Sequence, residues 1–142
     1  MGYAEKYLGI IDTMKTMLAT GTYLSNLSGI TFGEKSGSQL DPPEMFIVPS
    51  VGDVDPSAMP MGHMYQVPLE IVVILYDSDI EAGQRAVIQY AGEAHDVLRQ
   101  NPTLAGKCLD LVLKSINPGY GPSDIGTVHW CSFSVIAEFE II

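Results

Sequence analysis

Basic residues are scarce in this chain, whereas acidic residues are common. Of the 142 residues, 7 are Lys or Arg and 17 are Asp or Glu, so the formal net charge at pH 7 is -10. A protein that grips nucleic acid by its phosphates needs clustered Lys and Arg side chains. The five lysines and two arginines here are scattered along the chain. The composition therefore argues against a DNA- or RNA-binding module.

Cysteine is also scarce, since only Cys108 and Cys131 are present. Two cysteines so far apart in sequence form neither a disulfide framework nor the spacing of a metal site. Both lie in segments that we predict to be strands. We therefore expect each to be a small buried apolar side chain.

Long hydrophobic runs are absent. The longest purely aliphatic run, Ile71 to Leu75, is far shorter than the roughly 20 residues that span a bilayer. No basic region leads into an apolar run at the N-terminus, so a signal peptide is not expected. We expect a soluble protein that is made in the cytoplasm and has no membrane contact.

Catalytic and metal-binding signatures are missing as well. No Gly-x-Ser-x-Gly motif is present, and His63, His95 and His129 are isolated from one another in sequence. Asp53, Asp55 and His63 share one segment, but their spacing is not diagnostic of a metal site. We expect no enzymatic activity, no cofactor and no bound metal.

Two amphipathic helices are predicted. Residues 3 to 20 carry an apolar stripe at helical spacing, formed by Tyr7, Ile11, Met14 and Leu18. A second helix begins after a capping box, in which Ser78 is followed three residues later by a glutamate. It runs to about Gln100, where a following Asn-Pro pair ends it.

Strands make up most of the remaining chain. The predicted strands cover residues 45–48, 65–76, 108–116 and 126–142, with a possible short strand at 29–33 and a turn at 117–122. Residues 1–142 thus form one α+β domain. We expect an antiparallel or mixed sheet of about four strands packed with two main helices, in the order α-β-β-α-β-β.

The last strand has two unusual features. Its hydrophobic alternation switches face at Val128 and Trp130, which indicates either a β-bulge near Trp130 or coverage of both faces there. It also ends in an apolar segment without a polar tail. At the edge of a sheet, such a strand is an aggregation hazard unless a partner covers it. The alternative is a central strand that is already paired on both sides.

A long loop is predicted at about 49–64, because this segment contains three prolines, two glycines and two aspartates. Loops of about 16 residues are usually functional or mobile. Met59, Met61 and Met64 flank His63 in this loop. Methionine clusters often line adaptable protein-binding surfaces. The alternative is a loop folded back on the protein's own core.

The order of these elements resembles that of the tail terminator proteins of tailed phages and of related neck and tail-completion proteins. The likeness spans nearly the whole chain. Three segments carry most of it. They are the strand that leads into the helix (residues 67–79, VPLEIVVILYDSD), the helix from Glu81 to Gln100, and the final strand. It is a likeness of layout rather than of a signature motif.

The resemblance implies a structural role in the virion tail or neck, after assembly in the host cytoplasm. Such proteins form a homo-oligomeric ring, commonly a hexamer, that stops tail tube growth and meets the tube protein and the neck or connector proteins. DNA passes through the lumen without specific binding. The candidate contact residues here are Met59, Met61, His63, Met64, Tyr120, Phe139 and Ile141.

Three alternatives remain open at this point. In the first, the chain is a neighbouring neck or head-completion protein. In the second, it is a small non-viral enzyme or ligand-binding α+β domain with a pocket near His63, His129 and Tyr120. In the third alternative it is an adaptor that binds a host protein through the methionine-rich loop.

Overall fold

The computed structural model describes residues 2–33, 42–50 and 64–141. Within them the chain is an α+β fold with two helices and an open, mixed sheet of six strands. In chain order the elements are α1 (Tyr3–Ala19), a short 3-10 helix η1 (Leu24–Asn26), β1 (Gly29–Phe32), β2 (Glu44–Pro49), β3 (Met64–Tyr76), α2 (Ile80–Arg99), β4 (Asp110–Leu113), β5 (Asn117–Ser123) and β6 (Gly126–Glu140). Neither of these two helices is both long and apolar enough to cross a membrane.

The predicted fold class is confirmed, but the predicted strand count and order are wrong. The segment at 29–32 is a full member of the sheet as β1. Residues 117–122, which were predicted to be a turn, lie in β5 (Asn117–Ser123). The strand predicted at 108–116 is shorter, because β4 covers only Asp110–Leu113 and leaves Cys108 outside it.

The long last strand is central in the sheet. The strand order is β1-β2-β3-β6-β4, and β5 pairs with β6 on the same side as β4. Strands β1 and β2 are parallel, and all other pairs are antiparallel. Of the two alternatives for β6, pairing on both sides is therefore the one observed.

Strands β3 and β6 form the backbone of the sheet. Their pairing runs without interruption from Met64 opposite Glu140 to Tyr76 opposite Val128. The bulge expected near Trp130 is therefore absent. Trp130 is also 38% exposed, so its face is not fully covered there either.

The start of α2 differs by one residue from the predicted cap. Asp79, not Ser78, is the N-cap, and its carboxylate accepts a hydrogen bond from the Ala82 N–H at 3.1 Å. Asp77 Oδ1 in turn accepts from the Asp79 N–H at 2.9 Å, which fixes the turn between β3 and the helix. Both Asp and Ser are strong N-cap residues, so sequence alone does not separate the two positions.

The two helices pack against one face of the sheet. Odd-numbered residues of β3 and β6 point toward them, and these side chains are buried together with the apolar stripes of α1 and α2. This inward face agrees with the predicted one, and the odd-numbered set contains Val67, Leu69, Ile71, Val73, Cys131, Phe133, Val135, Ala137 and Phe139. The even-numbered residues of the two strands point to the opposite face of the sheet, which we call the outer face.

Candidate functional site: the outer face of the sheet

The outer face carries an apolar patch in the half of the sheet nearest the β5–β6 hairpin. Ile74 of β3 lies opposite Trp130 of β6, and the next outer-face pair along is Tyr76 opposite Val128. Trp130 is exposed, whereas the other three side chains are half-buried. Further along the same face, Val112 of β4 is 42% exposed. None of these residues belongs to the core beneath the helices.

Trp130 lies across two glycines of β5. A Cβ atom added at Gly119 would lie 2.6 Å from Trp130 Nε1, and one added at Gly121 would lie 3.6 Å from Cη2. The backbone of β5 therefore makes room for the indole, which spans both positions. A large aromatic side chain held in this way loses little conformational freedom when a partner covers it. Tryptophan is accordingly enriched among the residues that dominate binding energies.

The outer face is also acidic. Glu138 of β6 lies directly opposite Asp110 of β4, and Gln66 Nε2 donates to Glu138 Oε1 at 3.3 Å. Glu70 and Glu140 occupy even-numbered positions on the same face. Like charges directly opposite each other on neighbouring strands are destabilising. This end of the face therefore favours a cationic partner.

The described cations lie mostly elsewhere. Lys114 follows β4 and lines a small opening of the outer face beside Pro68 and Ile136. The other five belong to the helices and to the α2–β4 connection: Lys6, Lys15, Arg85, Arg99 and Lys107. The helices also carry carboxylates, namely Glu5, Asp12, Glu81, Glu93 and Asp96, so the helix side of the sheet carries both signs of charge.

His129 is a structural residue. Gln84 Nε2 donates to the Gly119 carbonyl at 2.8 Å, so the nitrogen end of this amide must also face His129 Nδ1, 3.0 Å away. Nδ1 is therefore the acceptor, and Nε2 carries the hydrogen and donates to the Asp77 carbonyl at 3.0 Å. With both ring nitrogens in use, His129 ties the start of α2 to β5 and β6. Gly83 permits this, because a Cβ at that position would overlap the imidazole.

The ligand pocket predicted near His63, His129 and Tyr120 therefore has no free ring nitrogen at His129. Tyr120 is half-exposed and packs on this imidazole with ring centroids 5.9 Å apart. His95 is similarly engaged, with Nε2 3.1 Å from the Lys114 carbonyl. His63, Asp53 and Asp55 lie outside the described residues.

The two cysteine thiols are buried and free. Burial raises the pKa of Cys108 and that of Cys131 from 9.0 to about 11 each. Both thiols are therefore protonated at neutral pH, and neither is an activated nucleophile. In the described parts of the chain, no three His, Cys, Asp or Glu side chains gather as a metal site would require.

The contact residues predicted from sequence are separated by the fold. Phe139 is 1% exposed and packs between Tyr3 and Tyr65, so its ring faces the core. Ile141 is partly buried against the same core, and Met64 is half-buried where β3 begins. Tyr120 lies near the opposite end of β6, opposite His129. Met59, Met61 and His63 lie outside the described residues.

Sequence reasoning did not select Trp130, Ile74 or Val112 as contact residues. One signal was present, namely the switch of hydrophobic alternation at Val128 and Trp130. We interpreted it as either a bulge or coverage of both faces, although it marks an apolar patch on the outer face. The two glycines at 119 and 121, separated by one residue, were a second signal. Glycine in a strand often marks a position where another group approaches the backbone closely.

The sequence matches no protein-family model and no curated protein.

Proposed function

We propose that this protein is a structural subunit of a tailed phage. In this proposal it forms a ring at the head-proximal end of the tail, where it ends growth of the tail tube and joins the tail to the neck. The observation that carries this proposal is Trp130, which is 38% exposed beside half-buried apolar neighbours, on a sheet whose other face is already packed against two helices. Patches of this kind often mark protein–protein contacts.

We place the proposed ring contact on the outer face of the sheet and not at the edge of the last strand. Strand β6 is paired on both sides, and Phe139 faces the core, so neither the last strand's edge nor that ring is available to a partner. Trp130 and Val112 are available, since they are 38% and 42% exposed. Asp110 and Glu138 lie beside Val112, at the end of the face away from Trp130, and add charged groups that give a contact its specificity.

The charge of the chain suits a ring through which DNA passes. A net charge of -10 repels phosphates, so DNA would move through the lumen without being held. The expected partners are other copies of this chain, the tail tube protein and the neck or connector proteins.

Imaging of the purified chain together with tail tubes of its own phage tests the proposal. Without tubes, we expect the chain to form ring-shaped particles. With tubes, we expect one ring at a single end of each tube, and we expect a tube to stop growing once the ring is bound. Rings that bind a portal or connector but never a tube would favour the neighbouring neck protein instead. Absence of rings, with tubes that elongate at an unchanged rate, would overturn the proposal.

A further inference from the structure

Strand β5 contributes no side chain to the core that the described residues form. All seven of its residues are exposed or half-buried, and none belongs to the cluster beneath the helices. The neighbouring strand β4 is shorter, yet its Leu111 is buried in that cluster. Elements with few buried apolar contacts open locally, at free energies below that of global unfolding.

The backbone of β5 is also poorly suited to a sheet. Pro118 and Pro122 have no N–H to donate, and Gly119 and Gly121 have no side chain to pack, so four of the seven residues weaken the strand. Among the described residues, β5 pairs with β6 and with no other strand. Its loss would leave the other strand pairs in place, because β6 keeps its uninterrupted ladder with β3.

Side-chain contacts hold β5 from both sides of the sheet. On the helix side, Gln84 Nε2 of α2 donates to the Gly119 carbonyl at 2.8 Å, and Tyr120 packs on the imidazole of His129. On the outer face, the indole of Trp130 lies across the two glycines of β5. Opening of β5 would therefore remove the surface against which the indole is held.

We propose that β5 is a strap that lifts from β6 and α2 as a unit while the rest of the fold stays intact, and that its closure holds the indole of Trp130 in place. The strap thus controls whether the outer face presents an ordered aromatic side chain to a partner. This inference goes beyond the proposed function, because it applies to the single chain whether or not rings form.

The backbone of β6 provides an internal control. The N–H of Lys114, which follows β4, donates to the Ser134 carbonyl. The N–H of Asp77, which follows β3, donates to the Thr127 carbonyl. Because successive backbone groups of a central strand point to opposite neighbours, the even-numbered N–H groups of β6 point toward β4 and β5, and the odd-numbered ones point toward β3.

Native-state hydrogen exchange of the dilute wild-type chain, followed by NMR at several low urea concentrations, tests the strap directly. We expect the amides of Val128, Trp130 and Ser132 to exchange faster than those of His129 and Cys131, after correction for intrinsic rates. Exchange of the first three should depend little on urea, because lifting one strand exposes little surface. Equal exchange of all five amides, with the urea dependence of global unfolding, would overturn the strap.

Two variants should shift the opening in opposite directions. Gln84→Ala removes the side-chain donor to the Gly119 carbonyl, so we expect the even-numbered amides to exchange about tenfold faster. Gly121→Ala restricts the open strand, and its Cβ would lie at an ordinary 3.6 Å from the indole, so we expect exchange about twofold to fivefold slower. Gln89→Ala, at an exposed position of α2, is the control and should leave the rates unchanged. Unchanged rates in Gln84→Ala would contradict the proposal.

A further variant tests the link between the strap and the indole. If the closed strap holds the indole, the indole stabilises the closed strap by the same amount, because coupling is reciprocal. Trp130→Ala should therefore speed exchange of the Val128 and Ser132 amides by about tenfold, as expected for the loss of an aromatic contact. Val112→Ala, on the same face but on β4, should leave both rates unchanged. Wild-type rates in Trp130→Ala would overturn the link.

Discussion

Trp130 of β6 lies directly opposite Ile74 of β3, and its indole covers Gly119 and Gly121 of β5. Three strands thus meet around one aromatic side chain on the sheet face that the helices leave uncovered. Trp130 is also the only tryptophan in the chain, so its fluorescence reports on this face alone.

The fit between Trp130 and β5 depends on the absence of a side chain at Gly119. In Gly119→Ala the added Cβ would lie 2.6 Å from the indole nitrogen, so the ring must move outward. We expect a loss of about 1 kcal/mol in the free energy of unfolding and tryptophan emission at longer wavelength. Gly121→Ala is the control, since its Cβ would lie at an ordinary 3.6 Å from the ring. Equal effects of the two substitutions would contradict this account of the contact.

The hydrogen bonds of Gln84 hold the hairpin against α2. In Gln84→Ala, the Gly119 carbonyl and His129 Nδ1 both lose their donor. We expect the free energy of unfolding to fall by about 1–3 kcal/mol, because His129 is fully buried and its nitrogen is left unpaired. Gln89→Ala, at an exposed position of the same helix, should change it by less than about 0.5 kcal/mol. Urea unfolding of both variants checks the difference, and similar losses would refute the structural role of Gln84.

Glu93 of α2 caps the 3-10 helix that follows α1. Its two carboxylate oxygens accept from the Tyr23 N–H at 2.9 and 3.0 Å, and Oε1 lies 3.3 Å from the Leu24 nitrogen. Glu93→Ala should lower the free energy of unfolding by about 0.5–2 kcal/mol, as the loss of a cap does. Glu81→Ala removes an exposed carboxylate 3.9 Å from Arg85 and should have almost no effect. Thermal melts that rank the two variants in the opposite order would contradict the assignment.

The buried thiols make stability depend on alkaline pH. The folded chain holds the protons of Cys108 and Cys131 more tightly than the unfolded chain, since burial raises each pKa from 9.0 to about 11. The contribution of the two thiols to the free energy of unfolding is therefore fully present below about pH 9 and is lost as the pH rises toward 11.

Urea unfolding on both sides of this window checks the effect. In the double variant Cys108→Ala, Cys131→Ala, the free energy of unfolding should fall less steeply with rising pH. The fall that remains reflects other groups such as Tyr7 and Tyr90, whose pKa values are also raised by burial. An identical decline in the variant and the wild type would show that the thiols do not contribute.

The sequence predicted the elements that have strong hydrophobic periodicity. It missed the strand that forms only because a neighbouring strand offers an edge to pair with. The stripes of α1 and α2 and the alternation of β3 and β6 identify their elements and buried faces, because periods of 3.6 and 2 are local properties. Strand β5, with the sequence NPGYGPS, has the composition of a turn. It is a strand because β6 extends beyond β4 and offers it an edge, which local sequence cannot reveal.

The candidate site was less predictable for a related reason. Alternation shows that Phe139 and Trp130 lie on opposite faces of β6, but it does not show which face the helices cover at each end of the strand. Phe139 was selected for its place in an apolar terminus, although it packs in the core. Trp130 could be recognised only once the face away from the helices and the glycines of β5 were known.

Light scattering of the purified wild-type chain and the Trp130→Glu variant over a wide concentration range tests the central claim most directly. The account predicts a single closed oligomer for the wild type, which Trp130→Glu converts to a monomer of about the chain mass, 15.4 kDa. A wild-type chain that stays at 15.4 kDa at every concentration, or a Trp130→Glu variant that assembles fully, would contradict it.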